Sequence, residues 1–246
     1  QYVMLVSNSN DKKTALARFY KYNDPLVKMY KMDDVWGIDA RNKEQSFALE
    51  LLMDPDVEVV SLIGQAGSGK TLLAVAAGLE QVLGDDNEYK KLIVSRPIQP
   101  LGKDIGYLPG TLEEKMDPWL MPIKDNLEFL LGNDRDTVKM YFEKGVIEIE
   151  AITYIRGRSI TNAFIIIDEA QNLTRHELKT ILTRVGEGTK IILTGDIEQI
   201  DNIYIDETSN GLTYAVEKFK EHDISGHITL QKGERSKVAT LAAKIL

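Results

Sequence analysis

A glycine-rich stretch lies between a β-branched segment and an apolar segment. It restricts the possible folds of this chain more than any other feature of the sequence. It reads GQAGSGKT and has three glycines within its first six positions, followed by Lys70 and Thr71. Glycine in mid-chain costs backbone entropy, so this density indicates a backbone that other residues do not readily adopt. The spacing matches a loop whose backbone N–H groups surround a phosphate at a helix N-terminus. The sequence therefore predicts a strand, a phosphate-binding loop and a helix, in this order.

The two residues that close this loop have separate predicted roles. Lys70 is expected to reach the β- and γ-phosphates of a nucleoside triphosphate, and the Thr71 hydroxyl to ligate Mg²⁺. A glycine-rich turn without a ligand is the alternative, but it leaves the Lys-Thr pair and the following apolar helix unexplained. The predicted nucleotide-binding residues of this phosphate loop are Gly64, Gln65, Ala66, Gly67, Ser68, Gly69, Lys70 and Thr71.

Apolar β-branched runs alternate with helical periodicity from residue 41 onward. Runs such as 163–167 and 190–196 lack polar alternation, which is typical of parallel strands covered on both faces. The pattern predicts an α/β core with a mostly parallel sheet and helices on both faces. The first 40 residues contain shorter β-prone runs and a turn signal. We therefore expect a small β-rich connector at 1–40 and one phosphate-loop domain at 41–246.

Capping residues and prolines predict where several helices begin or break. Asn42 is placed to start the first helix of the core, and Thr174 with Glu177 has the spacing of a capping box. Pro118 and Pro122 fall inside a helical stretch. Because proline lacks the N–H of a helical hydrogen bond, we expect that helix to be interrupted.

Two acidic residues follow the apolar run 163–167. There Asp168 is placed to hold Mg²⁺ through its water shell, and Glu169 to polarise the attacking water. The alternative is an acidic helix N-terminus, where carboxylates are also favoured. Four apolar residues directly before the Asp-Glu pair favour the catalytic interpretation, and with it hydrolysis of the bound nucleotide.

A third polar cluster follows the run 190–196, in the sequence TGDIEQ. Gln199 is predicted to sense the γ-phosphate or to position water, and Thr194 and Asp196 to relay its loss. A strand-ending turn built on Gly195 and Asp196 is the alternative. This cluster predicts function only in combination with the two motifs before it.

The remaining candidates are a glutamine upstream of the loop and several arginines. Gln45 is placed either to contact an adenine edge or to complete a capping box with Asn42, and the residues leave both open. Arg235 is a candidate for the arginine that stabilises the transition state of phosphoryl transfer. Arg156 and Arg158 are further candidates, and Arg96 is placed to meet a nucleotide or nucleic-acid phosphate. Surface or structural ion pairs are the alternative for all four arginines.

Composition limits the classes of protein that remain. The chain has 246 residues, a formal net charge of -8 and no cysteine. The charge argues against a protein that coats nucleic acid non-specifically, although it allows a local basic groove. Without cysteine there is no disulfide and no thiolate metal site. We find no secretory signal and no apolar run of the ~20 residues that a membrane helix needs, so we expect a cytoplasmic protein without a membrane partner.

Taken together, the motifs resemble those of the PhoH-like ATPases. The segments that carry the resemblance include RNKEQ, GQAGSGKT, RPIQPLGKDIGYLPG, DEAQN, TGDIEQID and GERS. The chain looks most like the branch in which a PIN nuclease domain precedes the PhoH domain. This resemblance implies a RecA-like core that couples ATP hydrolysis to single-stranded RNA, and unwinding that feeds the nuclease. It also implies adenine contact by Gln45, γ-phosphate sensing by Gln199 and the motif arginine at Arg235.

The length and the resemblance together predict an oligomer. Related motors close two RecA-like domains over ATP, whereas only one such domain fits here. A neighbouring subunit is then expected to supply the complementary arginine, most simply in a hexameric ring. No aspartate cluster of this chain resembles a PIN active site, so we expect any nuclease upstream of Gln1. An ATP-dependent regulatory switch shares every nucleotide motif and stays open, while a small-molecule kinase fits the DEAQ motif less well.

Overall fold

The computed structural model describes residues 1–8, 10–20, 25–29, 32, 34–85, 87–97, 112–152, 159–231 and 233. Its N-terminal part is a three-stranded antiparallel sheet. The second strand, β2 (Asn10–Arg18), pairs with both β1 (Tyr2–Ser7) and β3 (Val27–Lys28). The β-rich segment expected at the N-terminus is therefore confirmed.

The core is a six-stranded sheet in which every pairing is parallel. In chain order its strands are β4 (Val59–Gly64), β5 (Lys91–Arg96), β6 (Ile147–Ala151), β7 (Ala163–Ile167), β8 (Lys190–Gly195) and β9 (Ser225–Leu230). The spatial order is β6-β5-β7-β8-β4-β9. Because all six strands run in one direction, their carboxyl ends lie along one edge of the sheet, and the predicted motifs follow β4, β7 and β8.

Helices cover both faces of this sheet, as predicted. They are α1 (Lys43–Met53), α2 (Lys70–Leu83), α3 (Leu112–Leu130), α4 (Arg135–Glu143), α5 (Arg175–Leu182) and α6 (Gly211–Phe219). Successive residues of β7 belong to different apolar clusters: Phe164 and Ile166 pack with α1, α2 and α3, whereas Ile165 and Ile167 pack with α5 and α6. None of the helices in the described residues is long and apolar enough to cross a bilayer.

The expected interruption of α3 is wrong, because the helix runs through both Pro118 and Pro122. A proline in a helix interior costs about 3 kcal/mol. Leu120, Ile123 and Leu127 of this helix are buried in the first apolar cluster, and each contributes roughly 1.5–3 kcal/mol. The packing of α3 therefore offsets the loss of its proline hydrogen bonds.

The capping predictions are confirmed at both helices. The Asn42 side chain accepts a hydrogen bond from the Gln45 N–H at the start of α1. At the start of α5, the Thr174 hydroxyl accepts from the Glu177 N–H, and the Glu177 carboxylate accepts from the Thr174 N–H. These side chains satisfy N–H groups that have no partner within the helix.

Strand β9 is absent from the sequence prediction. Its sequence, SGHITL, mixes polar and small residues, and among the described strands it pairs with β4 alone, at an edge of the sheet. The sequence pattern also predicts a strand at 151–155, but β6 ends at Ala151 and residues 153–158 lie outside the described residues. The pattern of residues 236–246 predicts a helix, and these residues also lie outside the described ones.

The N-terminal sheet packs against the first helix of the core. The Tyr2 ring stacks on the Phe47 ring with 4.7 Å between centroids, and the Tyr2 hydroxyl donates to the Glu50 carboxylate. Arg18 pairs with Glu50 at 2.9 Å and also with Asp54. Burial and the bond to Glu50 raise the pKa of the Tyr2 hydroxyl. This contact joins the N-terminal segment to α1, the helix whose first turn reaches the phosphate loop.

Candidate nucleotide-binding site

The phosphate loop, residues 64–71, connects β4 to α2 with the backbone that its glycines predict. Gly67 and Gly69 have φ angles of 79° and 91°, in the left-handed region that favours glycine. A Cβ at Gly64 would lie 2.5 Å from the Leu230 carbonyl oxygen of β9. Two glycines are therefore required by backbone conformation, and the third by the close approach of the edge strand.

The start of α2 offers a site for an anion. The N-cap residue of this helix, directly before Lys70, is Gly69, and no side chain caps the helix. An uncapped helix N-terminus presents unsatisfied N–H groups and a partial positive charge. Within the same loop, the Ser68 hydroxyl is buried and has no hydrogen-bond partner among the described residues. The loop therefore retains donors suited to the phosphates of a nucleotide.

Lys70 lies folded over the loop that precedes it. Its ammonium donates to the carbonyl oxygens of Gly64 at 2.5 Å and Gln65 at 3.0 Å, and the side chain is buried. These two carbonyls satisfy the charge inside the loop. The predicted contact with the β- and γ-phosphates stays a prediction, and an ammonium has three N–H donors with which to make it beside these carbonyls.

Asp168 joins the phosphate loop to the third motif. Its Oδ1 atom accepts hydrogen bonds from the Thr71 hydroxyl at 2.8 Å and from the Thr194 hydroxyl at 2.6 Å. The Asp168 side chain is buried, and its backbone N–H donates to Ser95 O at 2.8 Å. Thr71 and Asp168, predicted as metal-site residues from positions 97 residues apart, are therefore in direct contact.

These oxygens fit Mg²⁺, although only together with a nucleotide. The described residues contain no group of three or more His, Cys, Asp or Glu side chains that could hold a metal ion alone. Mg²⁺ commonly uses one or two carboxylates plus substrate phosphates and waters. The hydroxyl of Thr71 and the carboxylate of Asp168 are hard oxygen donors of this kind.

Glu169 directly follows Asp168 and has a left-handed backbone, with φ of 53° and ψ of 38°. Its Oε2 atom accepts a hydrogen bond from Gln171 Nε2 at 2.6 Å. Its Oε1 atom lies 3.4 Å from the Nη2 atom of Arg96, the last residue of β5. Arg96 also lies 3.9 Å from Asp168. The predicted metal-site carboxylate and the predicted catalytic carboxylate therefore share one guanidinium.

Gln171 connects the DEAQ motif to the TGDIEQ segment. Its amide nitrogen donates to the Gln199 carbonyl oxygen at 2.9 Å, and its amide oxygen accepts from the Asp196 N–H at 3.1 Å. The Asp196 carboxylate in turn accepts from the Ala66 N–H of the phosphate loop at 2.9 Å. Gln199, whose sensing role stays a prediction, thus lies in a segment bonded to both other motifs.

Gln45 is buried beneath the phosphate loop. Its amide oxygen accepts from the Arg41 N–H at 2.8 Å, and its amide nitrogen donates to the Ser68 carbonyl oxygen at 3.0 Å. The capping box with Asn42 is therefore incomplete, because the returning bond goes to Arg41. The contact of Gln45 with adenine stays a prediction, and the amide has a direct role in supporting the loop.

The structure brings together most of the predicted site residues. The phosphate loop, Asp168, Glu169 and the segment that contains Gln199 meet at the carboxyl edge of the sheet. Arg156, Arg158 and Arg235 lie outside the described residues. Sequence reasoning missed the bridge through Gln171 and the pairing of Arg96. The polar residues of DEAQ were a sequence signal for the bridge through Gln171.

The comparisons with known proteins identify the family of this chain. A family model described as "PhoH-like protein" matches residues 37–245. Protein PhoH2 of Bacillus subtilis is 58% identical over 225 residues, which cover 90% of this chain and 51% of that protein. Protein PhoH2 of Thermobispora bispora is 41% identical over 225 residues, which cover 91% of this chain and 51% of that protein. The chain thus spans about half the length of the curated relatives it matches.

Solved structures show a more distant similarity. The DUF1998 helicase MrfA bound to DNA aligns with a TM-score of 0.47 at 12% identity, covering 95% of this chain and 30% of that chain. The Pif1 helicase from Candida albicans aligns with a TM-score of 0.41 at 16% identity, covering 84% and 43%. Similarity of this degree supports no inference about activity. The family is established by the sequence match over most of the chain: this chain belongs to the PhoH-like protein family.

Proposed function

We propose that this chain binds ATP with Mg²⁺ and hydrolyses it at the carboxyl edge of its parallel sheet. The observation that carries the proposal is the 2.8 Å hydrogen bond between the Thr71 hydroxyl and Asp168. It places the end of the phosphate loop against the carboxylate that opens the second motif. A glycine-rich turn without a ligand would not require a buried carboxylate at this position.

Each residue of the site has a separate role in hydrolysis. Mg²⁺ would be held by Thr71 and, through water, by Asp168, and would neutralise charge on the β- and γ-phosphates. Lys70, held at the loop by the Gly64 and Gln65 carbonyl oxygens, donates to the phosphate oxygens. Glu169 orients the attacking water and accepts its proton. Gln199 senses the γ-phosphate, and its segment transmits the loss of that phosphate to the loop through the bond between Asp196 and Ala66.

We further propose that hydrolysis depends on single-stranded RNA and drives a helicase-like motor. The support is the resemblance of the motifs to the PIN-bearing branch, together with the family membership. In this proposal residues 1–40 connect the motor to an upstream PIN nuclease domain, and residues 41–246 form the ATPase domain. A regulatory switch that binds partners without moving on nucleic acid is the alternative.

ATP turnover with and without single-stranded RNA tests both levels of the proposal. We expect turnover in the wild type, stimulation by RNA, and loss of turnover in Lys70→Ala. Arg135→Ala serves as a control, because Arg135 is exposed and, among the described residues, its ion pair is with Glu128 at 3.5 Å. Turnover without stimulation by RNA or DNA would favour the switch. No turnover by the wild type would contradict the ATPase proposal itself.

We also propose that the active form is a hexameric ring in which a neighbouring subunit supplies an arginine. Arg235 is the first candidate, followed by Arg156 and Arg158. Sedimentation of the protein with ATP, paired with turnover across a dilution series, tests this assembly. We expect turnover per chain to fall as the ring dissociates. A monomer with full activity would contradict the assembly but not ATP hydrolysis.

A further inference from the structure

Both oxygens of the Glu169 carboxylate have partners in this structure. Gln171 donates to Oε2 at 2.6 Å, and the Arg96 guanidinium lies 3.4 Å from Oε1. A general base needs an oxygen that can accept from the attacking water at about 2.6–3.2 Å. The guanidinium competes with water for one of these oxygens. In this arrangement Glu169 is held by its neighbours rather than presented to a nucleophile.

The backbone of Glu169 also indicates a held conformation. A left-handed backbone at a residue other than glycine is strained and persists where surrounding contacts impose it. Hydrogen bonds from Asp168 N to Ser95 O and from Asn172 N to Glu169 O lie on either side. The contacts of the carboxylate add to these backbone bonds.

The two partners of Glu169 differ in how easily they exchange. Gln171 is fully buried, and its amide also bonds Gln199 and Asp196, so its position is fixed. The Arg96 side chain is 22% exposed. Its distances of 3.4 Å and 3.9 Å to the two carboxylates exceed the 2.7–2.9 Å usual for a charge-assisted hydrogen bond. Arg96 is therefore the loosely bound, solvent-reachable partner.

We propose that Arg96 restrains Glu169 when no nucleic acid is bound, and that a phosphodiester of single-stranded RNA releases Glu169 by binding Arg96. The inference rests on the proposed function and identifies where RNA acts on the hydrolytic site. Its basis is the juxtaposition of a loosely paired guanidinium and the water-activating carboxylate at the end of β5.

The chemistry of the two partners of Arg96, the Glu169 carboxylate and an RNA phosphate, supports this exchange. A guanidinium presents a planar fork of N–H groups that fits a phosphate in bidentate geometry. Its contact to Glu169 in this structure is 3.4 Å between Nη2 and Oε1, longer than the 2.7–2.9 Å of a charge-assisted hydrogen bond. A phosphate that takes both arms of the fork gains better geometry than the carboxylate provides. Once Arg96 turns to the phosphate, Oε1 of Glu169 can accept from water, while Gln171 keeps the side chain oriented.

The test compares wild type, Arg96→Ala and Arg96→Lys in steady-state ATP turnover, with and without a single-stranded RNA oligonucleotide. Without RNA we expect Arg96→Ala to raise kcat at least about fivefold, toward the stimulated value of the wild type, with little change in KM for ATP. RNA should then add little. Arg96→Lys keeps the charge but not the fork, so we expect an intermediate rise. Arg135→Ala should behave as wild type.

The outcomes separate this inference from the proposed function. An RNA-stimulated wild type with an unchanged or lower basal kcat in Arg96→Ala would overturn the inference and leave the ATPase intact. A raised KM without a rise in kcat would assign Arg96 to the γ-phosphate of ATP instead and also overturn it. A wild type that does not hydrolyse ATP would overturn both. A merely structural loss lowers activity, so the predicted rise in kcat cannot arise from misfolding.

Discussion

Replacing Thr194 with valine removes a hydroxyl from the centre of the site and little else. Valine has nearly the same shape, and the Thr194 side chain is fully buried. The lost bond joins the hydroxyl to the Asp168 carboxylate at 2.6 Å. A hydrogen bond to a charged group contributes about 1.5–3 kcal/mol, and the short distance and burial favour the upper part of that range. We therefore expect the free energy of unfolding to fall by about 2–3 kcal/mol.

The same substitution should weaken the apparent affinity for Mg²⁺ during turnover. When Thr71 turns to the metal, Thr194 is the hydroxyl that continues to orient Asp168. Since 1.4 kcal/mol corresponds to tenfold in an equilibrium constant, we expect the Mg²⁺ concentration for half-maximal ATP turnover to rise roughly 10- to 100-fold. Urea unfolding and a Mg²⁺ titration measure the two effects on the same preparations.

Thr189→Val is the matched control for this prediction. Thr189 is also buried, but its hydroxyl donates to the Ile160 carbonyl oxygen at 3.1 Å and accepts from the Ala163 N–H at 3.4 Å, away from the site. Neutral hydrogen bonds contribute about 1 kcal/mol each, so we expect a comparable loss of stability with an unchanged Mg²⁺ dependence. If Thr194→Val leaves the Mg²⁺ dependence unchanged, Asp168 does not have the proposed role at the metal.

Three further substitutions test other parts of the structure. Burial lowers the pKa of Lys190 from 10.5 to about 8. Between these values the unfolded chain keeps the proton that the folded chain has lost, so stability from this group should rise with pH. From pH 8 to pH 10 the unfolding free energy of the wild type should gain about 2 kcal/mol relative to Lys190→Met, and no relative gain in urea unfolding would contradict this. Gln45→Ala should weaken ATP binding and GTP binding by similar factors, about tenfold, because it removes a hydrogen bond to the Ser68 carbonyl oxygen of the loop. In binding titrations, a loss of affinity for ATP alone would instead assign the side chain to adenine. Gly195→Ala would place a Cβ 2.6 Å from the Gln171 amide oxygen and 2.5 Å from Leu212. We therefore expect kcat to fall at least about tenfold, even where circular dichroism shows a folded chain. A wild-type kcat would refute the bridge through Gln171.

The sequence predicted the elements that local chemistry dictates. The phosphate loop follows from glycine spacing. Thr71 and Asp168 were each predicted as metal-site residues from their own motifs, but their direct contact was not predicted. The spacing of Thr174 and Glu177 predicted the capping box that they form. Each of these features depends on a few neighbouring residues or on the period of an apolar run.

Features set by spatial neighbours were not predictable in this way. Strand β9 has a mixed sequence and forms only because β4 offers an open edge. Helix α3 continues through Pro118 and Pro122 because its packing outweighs their local preference. Arg96 meets Glu169 because β5 lies beside β7, and the order of strands is not encoded in the period of any one of them.

The most direct test of the hydrolytic site is ATP binding and ATP turnover measured together on Glu169→Gln. Glutamine preserves the size of the side chain and its capacity to accept from Gln171 but removes the basic carboxylate. We predict that this variant binds ATP and Mg²⁺ with nearly wild-type affinity and loses at least about 99% of turnover, since general-base catalysis contributes roughly 10²–10⁴-fold. Wild-type turnover in this variant would contradict the account, because water activation would then not require Glu169.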